Sequence, residues 1–327
     1  MNRYSITKDD AGKRLDKFLT GKLDITRSQI QKLIKNETIL VNNKSAVVHK
    51  FLKEGDIIIT DNKPVTTTND INTTSQENFV TSSLKKITNI FKPAQHKLNI
   101  ITETENYLIV NKPAGLLIHE ADGTNEITLA DQLVKKYPKI KKVGENPIRP
   151  GIVHRLDREV SGLIVVAKTQ DMFDHLKSQF KERTIKKEYI TLVYGTPQKN
   201  EDEINFNISR SETKDFKMAA VPEHEERGRK SITGFEVLEN IGNYTLLRIM
   251  PKTGRTHQIR VHLNAYGLPI VGDLVYKPKK LKTKIKMSRI FLHAQYLGFT
   301  DLDGKWVEFT LPLPEKLQNI LNNLKKS

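Results

Sequence analysis

The chain has 327 residues, a length at which we expect two folded units rather than one. It contains 54 lysines and arginines against 38 aspartates and glutamates, and the resulting net charge of +16 favours a polyanionic partner such as nucleic acid, or an anionic membrane surface. The absence of cysteine excludes disulfides, thiolate zinc sites, iron–sulfur clusters and cysteine nucleophiles. No apolar run reaches the roughly 18 residues of a membrane span, and the opening residues lack the apolar core of a signal peptide, so we expect a soluble, cytoplasmic protein.

The first predicted unit covers residues 12–61 and combines helices with short strands. Apolar residues recur at helical spacing over residues 12–35, and the capping-box sequence Thr26–Gln29 predicts that a second helix begins near Arg27. Asn42 and Asn43 predict a turn among the strands that follow. The predicted strands are Thr38–Val41, Ala46–Val48 and Ile57–Thr60. These elements predict a small α/β domain.

The second predicted helix has a basic face. Arg27, Gln31 and Lys35 are four residues apart and Lys32 lies beside them, opposite the apolar stripe. A charged face of this kind is, on its own, most often simply solvated. The arrangement GKRLDKFL…TRSQIQKLIKNETILVNN…FLKEGDIII nevertheless resembles the RNA-binding domain named after ribosomal protein S-four. The resemblance implies that Arg27, Lys32 and Lys35 contact structured RNA.

A polar segment separates this unit from the rest of the chain. Residues 62–97 are rich in threonine, asparagine and serine, and we expect a linker because so few apolar side chains are available for burial. Residues 98–320 are predicted to form the second domain. Strand-like runs occur at Tyr107–Val110, Leu163–Ala167, Tyr189–Tyr194, Tyr244–Met250 and Phe309–Leu311, and helix-like runs at Ile127–Tyr137 and Met172–Arg183. Because strands and helices do not alternate strictly, we expect an α+β fold with a mixed, largely antiparallel sheet and flanking helices.

The sequence lacks the common signatures of cofactor and metal sites. It contains neither a G-x-x-x-x-G-K-[ST] phosphate loop nor a G-x-G-x-x-G turn after a strand, and no H-E-x-x-H. His257 and His262 are five residues apart, a spacing that does not place them on one helical face. We therefore expect a protein that needs no cofactor and no metal.

Two stretches combine charged residues with turn-forming glycines. In the first, Arg149–Gly162, Asp157 lies between Arg155 and Arg158 in a predicted loop before an apolar strand. An aspartate between two arginines is by itself most often part of a surface ion pair. In the second, Lys252–Leu263, the residues predict a turn followed by a helix that carries Arg260.

The turn and helix of this second stretch have their own expected details. Gly254 allows a tight turn and Thr256 is expected to cap the helix. Ile259 and Leu263 give the helix an apolar face, and Arg260 projects from a different one. On spacing alone, a site role for Arg260 and a contact with solvent or an RNA phosphate are equally compatible with the sequence.

Three motifs together resemble one enzyme family. NKPAGLLIH, HRLDREVSGLIVVAKT and KTGRTHQIRVHL occur in the order found in the pseudouridine synthases that modify large-subunit ribosomal RNA and some transfer RNAs. The resemblance implies that Asp157, Tyr189 in the K-x-Y sequence and Arg260 are the catalytic residues. Without it, a strand tyrosine of the core remains the alternative interpretation of Tyr189. Val160 departs from the family pattern, because a threonine is common at this position.

The family reaction assigns a task to each of these residues. Uridine becomes pseudouridine when the bond from ribose to ring nitrogen breaks and the uracil rejoins through carbon, so an ionised Asp157 is expected at the ribose of a flipped-out nucleotide. Arg260 is expected to hold Asp157 through paired hydrogen bonds, and Tyr189 to stack on the uracil. Whether Asp157 attacks the sugar or removes a ribose proton stays open.

The resemblance also implies partners and further contacts. His154, Arg155 and Arg255 are expected to contact RNA, the first two by holding the loop or filling the gap that the flipped base leaves. The expected substrate is large-subunit ribosomal RNA, naked or within a ribosome precursor, and the expected state is a monomer that does not bind membranes. An RNA-binding assembly factor without activity and an RNA nucleosidase or nuclease are the competing hypotheses.

Overall fold

The computed structural model describes most of the chain in two units. Described are residues 2–23, 30–31, 33–34, 38–47, 50–60, 97–120, 126–211, 217–222, 225, 227–277, 285 and 287–326. Arg27, Lys32, Lys35 and residues 62–96 of the expected linker lie outside them. The described residues form two compact units, one within Met1–Lys86 and one within Ile87–Ser327, and each is described by itself. Over the described ranges, no helix is both long and apolar enough to cross a bilayer.

The first unit is a four-stranded antiparallel sheet with a helix. Its strands are β1 (Asn2–Ser5), β2 (Ile39–Val41), β3 (Lys44–Ser45) and β4 (Ile57–Thr60), in the order β1-β4-β2-β3, and its helix α1 is Leu15–Thr20. Residues 30–31 and 33–34 are helical as well. Asn42 and Asn43 both have positive φ (54° and 59°), which confirms the predicted turn and closes the β2–β3 hairpin. The strand predicted at Ala46–Val48 is wrong for Ala46 and Val47, because the pairing with β2 ends at Ser45, and Val48 lies outside the described residues.

The second unit is built on one large sheet. Its strands are β5 (Ile100–Glu103), β6 (Tyr107–Lys112), β7 (Ser161–Ala167), β8 (Lys186–Tyr194), β9 (Glu201–Ile204), β10 (Asn207–Arg210), β11 (Met218–Val221), β12 (Thr233–Ile241), β13 (Tyr244–Pro251), β14 (Leu292–Thr300) and β15 (Trp306–Thr310). Nine of them form a sheet in the order β5-β6-β7-β14-β8-β13-β12-β9, with β15 on β14, while β10 and β11 pair separately. The β7–β14 pair is parallel and the other described pairs of this sheet are antiparallel, which confirms the expected α+β class.

Helices pack against this sheet. They are α2 (Leu129–Lys136), α3 (Gln170–Glu182), α4 (Gln258–Ala265) and α5 (Glu315–Lys325), with a 3₁₀ turn at Pro138–Lys142. The helix-like runs read from the sequence correspond to α2 and α3. Both helices begin at threonines, Thr128 and Thr169, whose side chains accept a backbone N–H of the first turn.

The strand β7 forms the rigid base of the site. All seven of its residues are buried, and its side chains alternate between two apolar clusters on opposite faces of the sheet. At its start, Gly162 has φ of +124°, and a Cβ there would lie 2.2 Å from the carbonyl oxygen of Ala294 in β14. Glycine is therefore required at this close approach, which fixes where the loop before β7 leaves the sheet.

Candidate active site

The loop that carries Asp157 is tied to the sheet on both sides of this residue. Lys112 is fully buried, and its Nζ donates to the carbonyl oxygens of Pro113 (2.9 Å), Leu116 (2.8 Å) and Arg158 (3.1 Å). Burial lowers the pKa of Lys112 to about 7, against the opposing charges of Asp157 and Glu159. The loop is thus anchored one residue after Asp157.

His154 supplies the second anchor. Its Nε2 accepts the backbone N–H of Val165 in β7 at 3.0 Å, and its ring stacks on Phe180 with centroids 4.9 Å apart. Burial and the nearby Lys187 lower the pKa of His154 to about 3, so the ring is neutral. His154 therefore holds the loop against β7, one of the two tasks expected for it.

The helix α4 begins at a residue other than the one predicted. The N-cap is His257, in the left-handed region with φ of 56°, so the expected cap at Thr256 is wrong. The turn before the helix is held instead by Gln258, whose Oε1 accepts from Thr253 Oγ1 (2.7 Å) and the Arg255 backbone N–H (3.0 Å). This anchoring fixes the first turn of α4, which carries Arg260.

Arg260 makes its paired hydrogen bonds to an aspartate that the sequence did not indicate. Its Nε and Nη2 donate to Oδ2 and Oδ1 of Asp273 at 2.7 and 2.9 Å, so the expected paired bonds to Asp157 are wrong. Oδ1 of Asp273 also accepts the backbone N–H groups of Val275 and Tyr276. Burial alone would raise the pKa of Asp273, but the bond and charge of Arg260 and these two N–H groups lower it. Arg260 is therefore an immobilised cation.

Asp157 lies on the other side of the same guanidinium. Its Oδ2 is 3.5 Å from Arg260 Nη1 and 3.9 Å from His257 Nε2, and its side chain is 16% exposed. The surface ion pair considered for Asp157 does not form with Arg158, whose guanidinium binds Glu126 at 2.8 Å instead. Asp157 therefore keeps a looser contact with Arg260 and access to the cavity beside it.

The three predicted catalytic side chains line one cavity of about 540 Å³. Tyr189 forms part of its wall from β8, and the residue is only 9% exposed, so it belongs to the core and to the cavity at once. Burial and the charge of Asp157 raise the pKa of Tyr189, which keeps its phenol neutral. The structure thus brings Asp157, Tyr189 and Arg260 together.

Most of the charged residues around this cavity are cations. Within the described residues, six of them form no ion pair with a carboxylate: Arg149, Arg155, Lys181, Arg183, Lys187 and Arg255. Arg155 is exposed, and Arg255 is half-buried beside Arg229 and Arg183, which together with burial lower its pKa. These six side chains, called the rim below, give the cavity the positive charge that a polyanion requires.

As for metals, the described residues contain no group of three or more histidines and carboxylates placed to hold an ion.

Four residues of the site were given no role there from the sequence, and one of them, His257, was considered only as a metal ligand. Lys112, His257 and Gln258 lie inside the quoted motifs, and their position there was the available signal. Asp273 lies outside those motifs, and nothing in its spacing indicates that it pairs with Arg260.

Comparison with known proteins places these motifs in a family. Residues 106–265 match the family described as RNA pseudouridylate synthase, and residues 13–58 match the S4 domain. An uncharacterised RNA pseudouridine synthase of Chloroflexus aurantiacus is 37% identical over 314 residues, which cover 95% of this chain and 90% of that one. Ribosomal large subunit pseudouridine synthase C of Vibrio parahaemolyticus is 32% identical over 98% of this chain and 96% of its own.

A solved structure agrees with these sequence matches. The human RNA pseudouridylate synthase domain containing 1 superposes with a TM-score of 0.55 at 28% identity and covers 72% of this chain and 98% of its own. The family resemblance drawn from the three motifs is confirmed. The chain belongs to the RNA pseudouridine synthase family and is an enzyme of that class.

Proposed function

We propose that this enzyme isomerises specific uridines of large-subunit ribosomal RNA to pseudouridine, with Asp157 acting at the ribose of a flipped-out nucleotide. The observation that carries the proposal is the carboxylate of Asp157, which lies in a cationic cavity beside the immobilised guanidinium of Arg260 and has only one of its oxygens in contact with that group. The substrate class is supported by relatives such as the Vibrio enzyme, which is named for the ribosomal large subunit.

The reaction rearranges one nucleotide without adding or removing atoms. The bond from N1 of uracil to C1′ of ribose breaks, a bond from C5 to C1′ forms, C5 loses its proton and N1 gains one. As the first bond breaks, C1′ becomes electron-poor, as it does in glycoside hydrolysis. The carboxylate of Asp157 stabilises that centre by bonding to it or removes a proton from the ribose, and either role requires an ionised side chain beside the sugar.

Arg260 contributes a fixed positive charge. Its guanidinium is held by Asp273 and remains 3.5 Å from Oδ2 of Asp157, so it stabilises the carboxylate without having to reorganise during the reaction. Water would hydrolyse the detached sugar, and we expect the bound nucleotide to keep it out by filling the cavity.

Tyr189 offers the aromatic surface for the uracil. Stacking of a base on an aromatic side chain is worth about 1–3 kcal/mol, which offsets part of the few kcal/mol needed to extrude a nucleotide. The cations of the rim, including Arg155 and Arg255, line the same cavity and in this proposal neutralise the phosphates on either side of the flipped nucleotide. The net charge of +16 adds attraction to RNA over a longer range, with a strong dependence on salt.

Mapping of pseudouridines in ribosomal RNA tests the proposal. Carbodiimide-dependent reverse-transcription stops are compared between cells that lack the protein, cells that express it and cells that express Asp157→Ala. We expect at least one stop in large-subunit RNA to depend on the wild-type protein and to be absent with Asp157→Ala. If no large-subunit position changes, the substrate assignment is wrong and transfer RNA is mapped next.

The same samples separate the competing activities. An assembly factor without catalysis would leave every pseudouridine in place when Asp157 is replaced. A nucleosidase would release free uracil and reduce the mass of the RNA, whereas isomerisation leaves that mass unchanged. We expect an unchanged mass and no free uracil.

A further inference from the structure

His257 is held in a backbone conformation that needs an explanation. It adopts φ of 56° and ψ of 19°, the left-handed region that only a few per cent of residues with a Cβ occupy, although asparagine, aspartate and histidine do so more often than the others. Its side chain makes no capping hydrogen bond to α4, although it occupies the N-cap. The conformation therefore does not serve the helix, and backbone strain of this kind is concentrated at functional sites.

The hydrogen bonds of its ring define where its proton lies. Nδ1 of His257 is 2.8 Å from the phenol oxygen of Tyr276, and that oxygen already accepts the backbone N–H of Met218 at 2.8 Å. The phenol proton is then available to Nδ1, and we assign the tautomer in which His257 accepts at Nδ1 and carries its own proton on Nε2. Nε2 is the ring atom that faces Asp157.

Two donors converge on a single oxygen of Asp157. Nε2 of His257 is 3.9 Å and Nη1 of Arg260 is 3.5 Å from Oδ2. Among the described residues, no hydrogen bond to Oδ1 is formed. The carboxylate is consequently asymmetric, with one oxygen facing the protein donors and the other left for a ligand.

We propose that His257 is a positioning residue, which Tyr276 orients so that its Nε2–H donates to Oδ2 of Asp157 and leaves Oδ1 to face the ribose. The inference rests on the proposed role of Asp157. At 3.9 Å the contact is longer than a hydrogen bond, and we expect it to shorten when the nucleotide fills the cavity, because such bonds in empty sites often tighten only with substrate bound.

The charges around His257 favour the neutral form that this role requires. Burial lowers its pKa, and Arg260 lowers it further, while the carboxylates of Asp157, Glu159 and Asp273 act in the opposite direction. Burial is the largest of these effects, so the ring donates from Nε2 while uncharged.

Two substitutions of His257 test the contacts of its two ring nitrogens separately. In His257→Asn the amide oxygen can lie near the position of Nδ1 and accept from Tyr276 there, and asparagine tolerates the left-handed backbone. This variant keeps the contact with Tyr276 and loses the donor to Asp157. In His257→Gln the amide nitrogen reaches the position of Nε2 and restores that donor. Each variant therefore keeps one of the two ring contacts and loses the other, so a comparison of the two shows which contact the rate depends on.

The readouts are single-turnover rate, KM, pH profile and thermal stability, on any RNA that the wild-type enzyme modifies. We expect His257→Asn to be as stable as wild type or more so, with a rate reduced about 10- to 100-fold, little change in KM and an acidic limb shifted to higher pH. We expect His257→Gln to recover most of the rate. Equal losses in both variants with an unchanged pH profile, or no loss in His257→Asn, would overturn the proposal.

A double-mutant cycle tests whether Tyr276 acts through His257. We expect Tyr276→Phe to lower the rate, and the double variant with His257→Asn to be no slower than His257→Asn alone. Additive losses would contradict this order of action. Because the assay uses whichever RNA is a substrate, it stays informative even if mapping shows that the enzyme acts on transfer RNA rather than ribosomal RNA.

Discussion

Two aspartates lie on opposite sides of the guanidinium of Arg260, and their surroundings differ. Asp273 is fully buried and accepts two hydrogen bonds from Arg260 and two from the backbone. Asp157 has a single contact of 3.5 Å with the same group and opens onto the cavity. Asp273 has its hydrogen bonds satisfied within the protein, whereas Asp157 keeps one carboxylate oxygen for a ligand.

The difference shows how one cation serves two purposes. A buried arginine needs a buried carboxylate to offset its desolvation, and Asp273 fulfils that need. Arg260 can then present its remaining nitrogen to Asp157 as a fixed charge. We infer that Asp273 determines the stability of this region and Asp157 its chemistry, and the substitutions below are chosen to test that division.

The largest effect is expected from Asp157→Asn. The change is isosteric and removes the charge that the proposed chemistry needs, so we expect the rate of pseudouridine formation to fall by about 10³-fold or more. The free energy of unfolding should change little, because Asp157 is not the main partner of Arg260. Glu159→Gln is the matched control, since Glu159 is 3.7 Å from the same nitrogen but largely exposed. Similar losses of activity in both variants would contradict a special role for Asp157.

Asp273→Asn should lower the free energy of unfolding more than the rate, which is the reverse of what we expect for Asp157→Asn. It removes the buried carboxylate that pairs with Arg260 and leaves only the looser contacts with Asp157 and Glu159, and we expect a loss of about 3–5 kcal/mol in the free energy of unfolding. The pKa of Asp273 is lowered in the folded state, so its contribution is present above the unfolded pKa of about 4 and is lost as pH falls below it. Urea unfolding from pH 3 to pH 7 should show that the difference in free energy of unfolding between wild type and variant becomes smaller at the acidic end. A difference independent of pH would show that the charge is not responsible.

Tyr189 should have an intermediate effect that depends on its ring. Tyr189→Leu keeps apolar volume in the core and removes the aromatic face, so we expect RNA binding to weaken by about 1–3 kcal/mol. Tyr189→Phe retains the face and should bind RNA as wild type does. Filter-binding measurements on an inactive Asp157→Asn background separate binding from turnover. Equal binding by all three proteins would argue against stacking.

The smallest effect is expected at the rim. Arg255→Ala should weaken RNA binding about equally for all sequences and reduce the slope of log affinity against log salt by about 1. Lys305→Ala, at an exposed position that does not line the cavity, is the control and should leave the slope unchanged. If Arg255→Ala changes the choice of uridine instead, Arg255 contacts a base rather than a phosphate.

The strands that carry the site were predictable and several others were not. The cores of β7, β8 and β13 are apolar runs that any period-based interpretation identifies. The strand β14 was missed because His293 and Gln295 interrupt its apolar sequence, although His293 is fully buried. The hairpin β10–β11 was missed because its residues are few and mostly half-buried. A strand of that kind is defined by its partner rather than by its own pattern.

The site shows the same division between local and distant information. Asp157, Tyr189 and Arg260 were proposed from motifs and share one cavity. The partner of Arg260 could not be predicted, because Asp273 lies beyond the end of α4 and reaches the guanidinium only through the turn of the chain after the helix. Local spacing identified which residues matter, but the fold decides which atoms meet.

The ammonium of Lys112 has a consequence for how the catalytic loop moves. It joins the segment at Pro113 and Leu116 to Arg158, a residue 46 positions further along the chain. Any opening of the loop at Asp157 must therefore either break this junction or carry the Pro113–Leu116 segment with it. We therefore expect the two segments to move together, so that a ligand that orders Asp157 also orders the Pro113–Leu116 backbone without contacting it.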